Sequence, residues 1–263
     1  MLADLSIWTI VFLCAMALAA GWIDSVVGGG GVIQLPALLF GLPETTPVAL
    51  VSGTNKLSSV AGTATASATY LRKVRVDWPV VLCAMGAAYV GSTIGARLIS
   101  LLPRIAFTPI VAVAVALVGI YTILKPDLGA TTELRFSGTK LRIIAAAIGL
   151  VIGVWDGMIG PGTGIFLLVA FAAVLGYGFL EATTMTKLVN LTTNAAALVV
   201  LGAQGNIMWQ LGLCMAACNL TGGFIGARMA IAKGNGFIRK VFIVVVVIVE
   251  AKLLYDTVGL ITS

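Results

Sequence analysis

The chain has 263 residues, 60% of them hydrophobic and 10% charged, with a formal net charge of +6. A soluble domain carries roughly 25% charged residues, and a globule of this length needs a polar surface that this composition does not supply, so the lipid bilayer is the solvent that fits. There is no histidine, and the four cysteines (Cys14, Cys83, Cys214, Cys218) lie inside apolar runs without a CxxC pair; zinc, haem and Ser-His-Asp chemistry have little to work with, and no metal or other cofactor is expected.

The first apolar run, Ile7 to Ala20, has the length of a signal peptide. It carries Asp4 and no basic n-region, and a similar run, Leu141 to Val154, is internal, so a membrane span is the better reading. In chain order the first half gives apolar segments at 6–26, 31–42, 45–70, 77–101 and 105–124. The second half gives 140–158, 162–178, 181–202, 206–230 and 237–258. Most reach the roughly 20 residues that span a bilayer. The segment 31–42 is short for a span and reads as a half-helix ending inside the membrane. The polar stretch from Lys125 to Lys140 joins the halves. The expected organisation is an N-terminal membrane repeat over 1–125, a cytoplasmic linker over 126–139 and a C-terminal membrane repeat over 140–263.

The halves are copies. Gly21-Trp22-Ile23-Asp24 before Gly28-Gly29-Gly30-Gly31 returns as Gly153-Val154-Trp155-Asp156 before Gly160-Pro161-Gly162-Thr163. Lys56 stands opposite Lys187, Trp78 opposite Trp209, and Gly91-x-x-x-Gly95 opposite Gly222-x-x-x-Gly226, at offsets of 132 early and 131 later. A duplicated apolar chain with a glycine break at the same place in each copy is the pattern of a transporter.

Loop charge sets the orientation of the copies. The loop after the third segment holds Arg72, Lys73 and Arg75 in the first half and no basic residue in the second. The loop after the fourth holds only Arg104 in the first half, against Lys233, Arg239 and Lys240 in the second. Under the positive-inside rule the copies lie upside down relative to each other. The fold class expected is therefore an all-α polytopic membrane protein of two inverted repeats, about five transmembrane segments each and 8–10 helices in total, broken at the glycine-rich motifs. Basic residues in short loops also argue against a nucleic-acid partner.

The glycine breaks are the first candidate for chemistry. Each glycine costs about 1 kcal/mol relative to alanine in a helix, so Gly28, Gly29, Gly30 and Gly31 are not there for propensity. They let the chain turn and expose N–H groups, and the next helix starts with its positive dipole end at the break. Gly160, Pro161, Gly162, Thr163 and Gly164 do the same, with Pro161 suited to a helix start. Two such ends facing each other would form an anion site; the plainer reading is a tight turn that permits close packing. Asp24 and Asp156 each stand four residues before a break. They read either as proton carriers or as caps of exposed N–H groups. Lys56 lies among Thr54, Asn55, Ser58 and Ser59, and Lys187 among Thr186, Asn190 and Asn194. Such polar segments face protein or a water-filled cavity rather than lipid, although a lysine near a helix end can also snorkel to the headgroups. The two Gly-x-x-x-Gly motifs are close-packing devices for helices in lipid.

The runs G-W-I-D-S-V-V-G-G-G-G, T-N-K, G-A-R-L, W-D-G-M-I-G-P-G-T-G, T-K-L-V-N-L-T-T-N, I-G-A-R-M and A-K-L-L-Y-D together resemble the sulfite exporter TauE/SafE family of bacterial membrane proteins, over about residues 7 to 258. The resemblance implies a multi-pass permease of the bacterial inner membrane that moves small sulfur-containing anions such as sulfite or organosulfonates, mostly outward. The expected partners are such an anion and the lipid bilayer, with a homodimer compatible with the sequence. In the main reading, N–H groups of the breaks and the hydroxyls and amides of Thr54, Asn55, Thr186, Asn190 and Asn194 hold the anion, while Lys56 and Lys187 offset its desolvation. An anion channel on the same site is the first alternative. An intramembrane aspartyl enzyme is the second; the aspartates here precede their glycines and share one repeated motif, so no enzyme is expected.

Overall fold

The computed structural model describes residues 5–43, 45–99 and 128–262, and these residues are all-helical, with no strand among them. In the first half, α1 spans Ile7–Val27, α2 Gly30–Gly41, α3 Val48–Leu71 and α4 Trp78–Leu98. In the second, α5 spans Gly138–Met158, and α6 runs over Thr163–Ala170 into a π turn at Phe171–Leu175. Helix α7 spans Phe179–Ala203 and α8 Trp209–Thr262. The expected segment 105–124 lies outside the described residues.

Local sequence explains the ends. Ser6 caps α1 by accepting from the N–H of Trp8, and Asp77 caps α4 by accepting from Val80 with Pro79 following, where its missing N–H costs nothing. Helix α8 is broken at Gly234, whose φ of 69° and ψ of −165° belong to a region that glycine alone visits freely, so 209–233 and 235–262 are two arms. The sequence places the break between its segments 206–230 and 237–258, in agreement.

Four described helices, α1, α4, α5 and α7, are long and apolar enough to cross a bilayer. Helix α2 has 12 residues and so is about 18 Å long, against a hydrocarbon core of roughly 30 Å. Helix α6 is also short. Both short helices directly follow a glycine break.

The halves are interlaced. Helix α1 packs chiefly on the first arm of α8, and α5 chiefly on α4, so each half's first helix lies on the other half's fourth. Small residues make this possible. A Cβ on Gly91 or Gly95 would stand 2.3 or 2.1 Å from the carbonyl oxygen of Leu150 or Val154 on α5. One on Gly222 or Gly226 would come within 2.0 or 2.5 Å of those of Leu18 or Trp22 on α1. The Gly-x-x-x-Gly motifs thus set backbone against backbone across the two halves. Large apolar side chains such as Trp8, Phe40, Ile143 and Val151 stay exposed on the outside, as lipid-facing residues do. Between α4 and α5, residues 128–137 lie along the junction of α6 and α7, with Glu133 and Arg135 donating backbone N–H bonds to Gly176 and Leu175.

Candidate functional site

The two glycine breaks have one local design. Gly28 (φ 85°) and Gly160 (φ 92°) stand at matching repeat positions, both left-handed, and end the preceding helix by turning the chain. The next helix begins at Gly29 in one half and Gly162 in the other, and neither N-cap makes a side-chain hydrogen bond. No side chain takes the first N–H groups of α2 and α6; those of Val32 and Thr163 turn back onto the carbonyls of Gly29 and Gly160 at 3.2 and 3.3 Å, and the positive helix ends stay at the break. The second break is tied down further: Trp155 Nε1 donates to the carbonyl of Pro161 at 2.9 Å, and Thr163 Oγ1 to that of Gly160 at 2.7 Å. The breaks touch. A Cβ on Gly164 would lie 2.3 Å from Cα of Gly28, and one on Gly31 3.5 Å from Cα of Pro161.

The charged residues next to the breaks are paired across the halves. Lys56 Nζ, on α3, lies 2.7 Å from Asp156 Oδ2 at the end of α5 and also donates to Asn194 Oδ1 at 3.0 Å. Lys187 Nζ, on α7, lies 3.0 Å from Asp24 Oδ2 at the end of α1 and donates to the backbone carbonyl of Asp24 as well. Each lysine of one half thus serves the aspartate of the other. Lys56 is 2% exposed and Lys187 0%, so neither snorkels to a headgroup region. The carboxylates accept from ammonium groups rather than capping the breaks. Burial of one charge without the other would cost several kcal/mol, so pairing explains how two acidic and two basic side chains sit together in an apolar chain.

A narrow cavity of about 20 Å³, room for about one water, opens where the breaks meet. Its wall takes in Asp24, Gly28 and Gly31 from the first break, Asp156, Gly160, Thr163 and Gly164 from the second, Asn55, Lys56 and Ser59 from α3, and Asn190 and Asn194 from α7. Other candidates from the sequence lie beside it. Gly30 packs against the carbonyl of Ala20 and the Cβ of Asp24, and Gly29 against Val245. Thr54 donates to Leu50 and accepts from the N–H of Met208. Thr186 is buried with an unpartnered hydroxyl, and Gly162 forms the cap of α6. Lys187 is sealed behind Asp24. Two further wall residues, Ser59 and Gly164, belong to the polar run around Lys56 and to the second glycine break. Ser59 stands one turn beyond Asn55, so the helical period of the polar run in α3 pointed to it. Among the described residues no group of three or more acidic, cysteine or histidine side chains could hold a metal ion.

The chain matches the sulfite exporter TauE/SafE family over residues 13–253. It is 33% identical over 256 residues to the probable membrane transporter protein ORF9 of Sinorhizobium sp, covering 96% of this chain and 95% of that one. A probable membrane transporter protein of Haemophilus influenzae is 31% identical over 253 residues, with 96% and 97% covered. The probable membrane transporter protein YfcA of Escherichia coli is 32% identical over 246 residues, with 93% and 89% covered. No solved structure matches. Full-length relatives named as transporters, together with several apolar helices, make this a multi-pass membrane transporter and not an enzyme. The chain belongs to the sulfite exporter TauE/SafE family.

Proposed function

We propose that the chain is a secondary transporter of the bacterial inner membrane for a small sulfur-containing oxyanion, sulfite or an organosulfonate, moved mostly outward. Its two repeats of about five segments lie inverted about an axis in the membrane plane, and the anion binds between them where the breaks meet. The observation that carries this reading is the pair of uncapped helix N-termini, α2 and α6, converging on one polar-walled cavity. The inverted arrangement is supported by loop charge and by the exchange of first and fourth helices between halves.

Within this site Lys56 supplies the cation nearest the substrate. Its ammonium has three donors; two go to Asp156 and Asn194, and the third remains for an oxyanion. Both lysine charges are already balanced by carboxylates. An incoming anion therefore adds net negative charge to a poorly solvated space, and a proton taken up on Asp24 or Asp156 would offset it. The test is a binding titration of purified protein with sulfite, sulfate, thiosulfate and alkylsulfonates, followed by counterflow in proteoliposomes. Saturable binding of sulfite or a sulfonate with counterflow is the expected result. Binding of none of these anions refutes the reading, and uptake without counterflow shifts it to a channel.

A further inference from the structure

The wall of the cavity on α7 carries a polarised chain of amides whose direction is set by a lysine. An ammonium only donates, so the atom of Asn194 facing Lys56 at 3.0 Å must be its carbonyl oxygen. The other edge of that amide is then the N–H2 group, which donates to Asn190 Oδ1 at 3.2 Å on the turn below. Thr193 Oγ1 also approaches Asn190 Oδ1, at 3.4 Å. With its oxygen engaged, Asn190 is left with the N–H2 edge, and among the described residues that group donates to nothing. Asn190 and Asn194 are both buried, at 5% and 4% exposure, and both border the cavity.

The first half has no such chain. The positions matching Asn190 and Asn194 are Ser59 and Thr63, and Thr63 returns its hydroxyl to the carbonyl of Ser59. Asn55, across the cavity on α3, has a buried Oδ1 without a partner, and nothing that only donates fixes which way its amide faces. The orientation is imposed on one wall alone, and by one cation.

We propose that Lys56, through Asn194 as a positioning residue, locks the N–H2 of Asn190 toward the substrate and so makes this wall a donor wall that selects oxyanion heads with unprotonated oxygens. The inference rests on the anion site proposed above and concerns what that site prefers. A head group with an O–H on this side would meet a donor with a donor. The loss is that of a buried polar contact left unmade, a factor of about ten or more in affinity. The favoured class is the fully deprotonated sulfonate or sulfite type, against phosphonate and phosphate monoanions of the same size and charge.

Two probes isolate the proton from size and charge: methanesulfonate and methylphosphonate, titrated into the purified full-length protein at a mildly acidic pH where each carries one negative charge. The wild type should bind methanesulfonate at least about tenfold more tightly. In Asn194→Asp, Lys56 keeps an acceptor, but the N–H2 that orients Asn190 is gone. Asn190 then donates to the new carboxylate and turns its oxygen to the cavity, so the ratio should narrow to within about threefold or reverse. Asn190→Leu, which adds no charge, should lower affinity for the sulfonate more than for the phosphonate. A wild-type ratio near one, a preference for the phosphonate (a carboxylate taking its proton), or a ratio unchanged in both variants overturns the inference while the anion site stands. Failure of both anions to bind the wild type overturns the anion-site reading and the inference with it.

Discussion

The two glycine breaks share one local design but differ in their surroundings. Each keeps an aspartate four residues upstream, a left-handed glycine, an uncapped helix start and a lysine from the other half. In the first, Gly28 is wedged against Gly164, and the ion pair of Asp24 with Lys187 closes on itself through the Asp24 backbone carbonyl. In the second, a Cβ on Gly160 would meet only ordinary van der Waals contacts, the nearest at 3.5 Å, and Lys56 reaches both Asp156 and an asparagine on the cavity wall. In the reading proposed above, the first break is closed by packing and by its own ion pair, the second presents its lysine to the substrate, and each keeps its charge balance.

The matched glycines give the largest expected contrast. Gly28→Ala would place a methyl 2.3 to 2.7 Å from three backbone atoms of Gly164, and backbone does not yield as a side-chain tip does. A cost of about 3 kcal/mol or more is expected, since overpacking and left-handed strain add. The protein should fail to purify as a monodisperse species. Gly160→Ala carries the same left-handed penalty, about 1–2 kcal/mol, but its nearest neighbour is 3.5 Å away. It should fold, with a modestly lowered thermal midpoint in detergent, and lose affinity, because the methyl stands 3.6 Å from Lys56 Nζ. Equal stability of the two variants would break the comparison.

The ion pairs come next. Lys56→Met strands the buried Asp156 and should cost about 3–5 kcal/mol in thermal or denaturant unfolding; Lys187→Met strands Asp24, which is 15% exposed, and should cost less. Removing both members of a pair should restore most of that, because a buried pair replaced by apolar groups of similar volume is often neutral. The restored proteins should then diverge. Lys56→Met with Asp156→Leu should bind anions at least about tenfold more weakly, through the loss of the cation nearest the cavity. Lys187→Met with Asp24→Leu should lose less, since Lys187 is fully buried outside the cavity wall and only Asp24 of that pair borders the cavity. Equal losses in both double variants would mean that the two pairs share the substrate equally. Transport by Asp24→Asn and Asp156→Asn, measured against pH, sharpens this. If a carboxylate carries the coupled proton, its amide variant should lose the pH dependence of the wild type. A wild-type profile in both variants leaves the carboxylates as partners for lysine alone.

Much of this was legible in the sequence, for physical reasons that can be traced to particular residues. Apolar runs separated by charged loops give helices whose boundaries agree with the structure to within a few residues, as at 140–158 against Gly138–Met158. Glycines that cost helix stability marked both breaks, because nothing but turning the chain repays that cost. The cross-pairing was not legible. Lys56 and Lys187 occupy equivalent positions, as do Asp24 and Asp156, so pairing within a half and pairing between halves fit the sequence equally well. Only the interlacing of α1 with α8 and of α5 with α4 decides it. The sealing of Lys187 and the opening of Lys56 were invisible for the same reason, since matched positions predict matched environments. The sequence difference that bears on this asymmetry, Asn190 and Asn194 against Ser59 and Thr63, was present but had no evident meaning before Asn194 was placed beside Lys56.

The smallest expected effect tests the interlacing away from the cavity, at another matched pair. Ser92 on α4 is fully buried, and its hydroxyl donates to the carbonyl of Thr193 on α7 at 2.7 Å. Its counterpart is Gly223 on α8, where a Cβ would lie 2.8 Å from the carbonyl oxygen of Gly62 on α3. Gly62 cannot retreat easily, because a Cβ there would already be 1.8 Å from the side-chain oxygen of Asn219. One half thus joins its third helix to the other half's fourth through a hydroxyl, and the other does so by bare backbone approach. Ser92→Ala removes one buried hydrogen bond without opening a large hole and should cost about 1 kcal/mol. Ser92→Gly should cost somewhat more, from added chain entropy in a helix. The reverse change, Gly223→Ser, should cost more than either, since its Cβ must displace backbone before any hydroxyl can bond. Thermal midpoints of the three variants in one detergent give the order directly. A Gly223→Ser protein as stable as Ser92→Ala would show that α3 and α8 can move apart, and that the two interlaced contacts are not built to one tolerance.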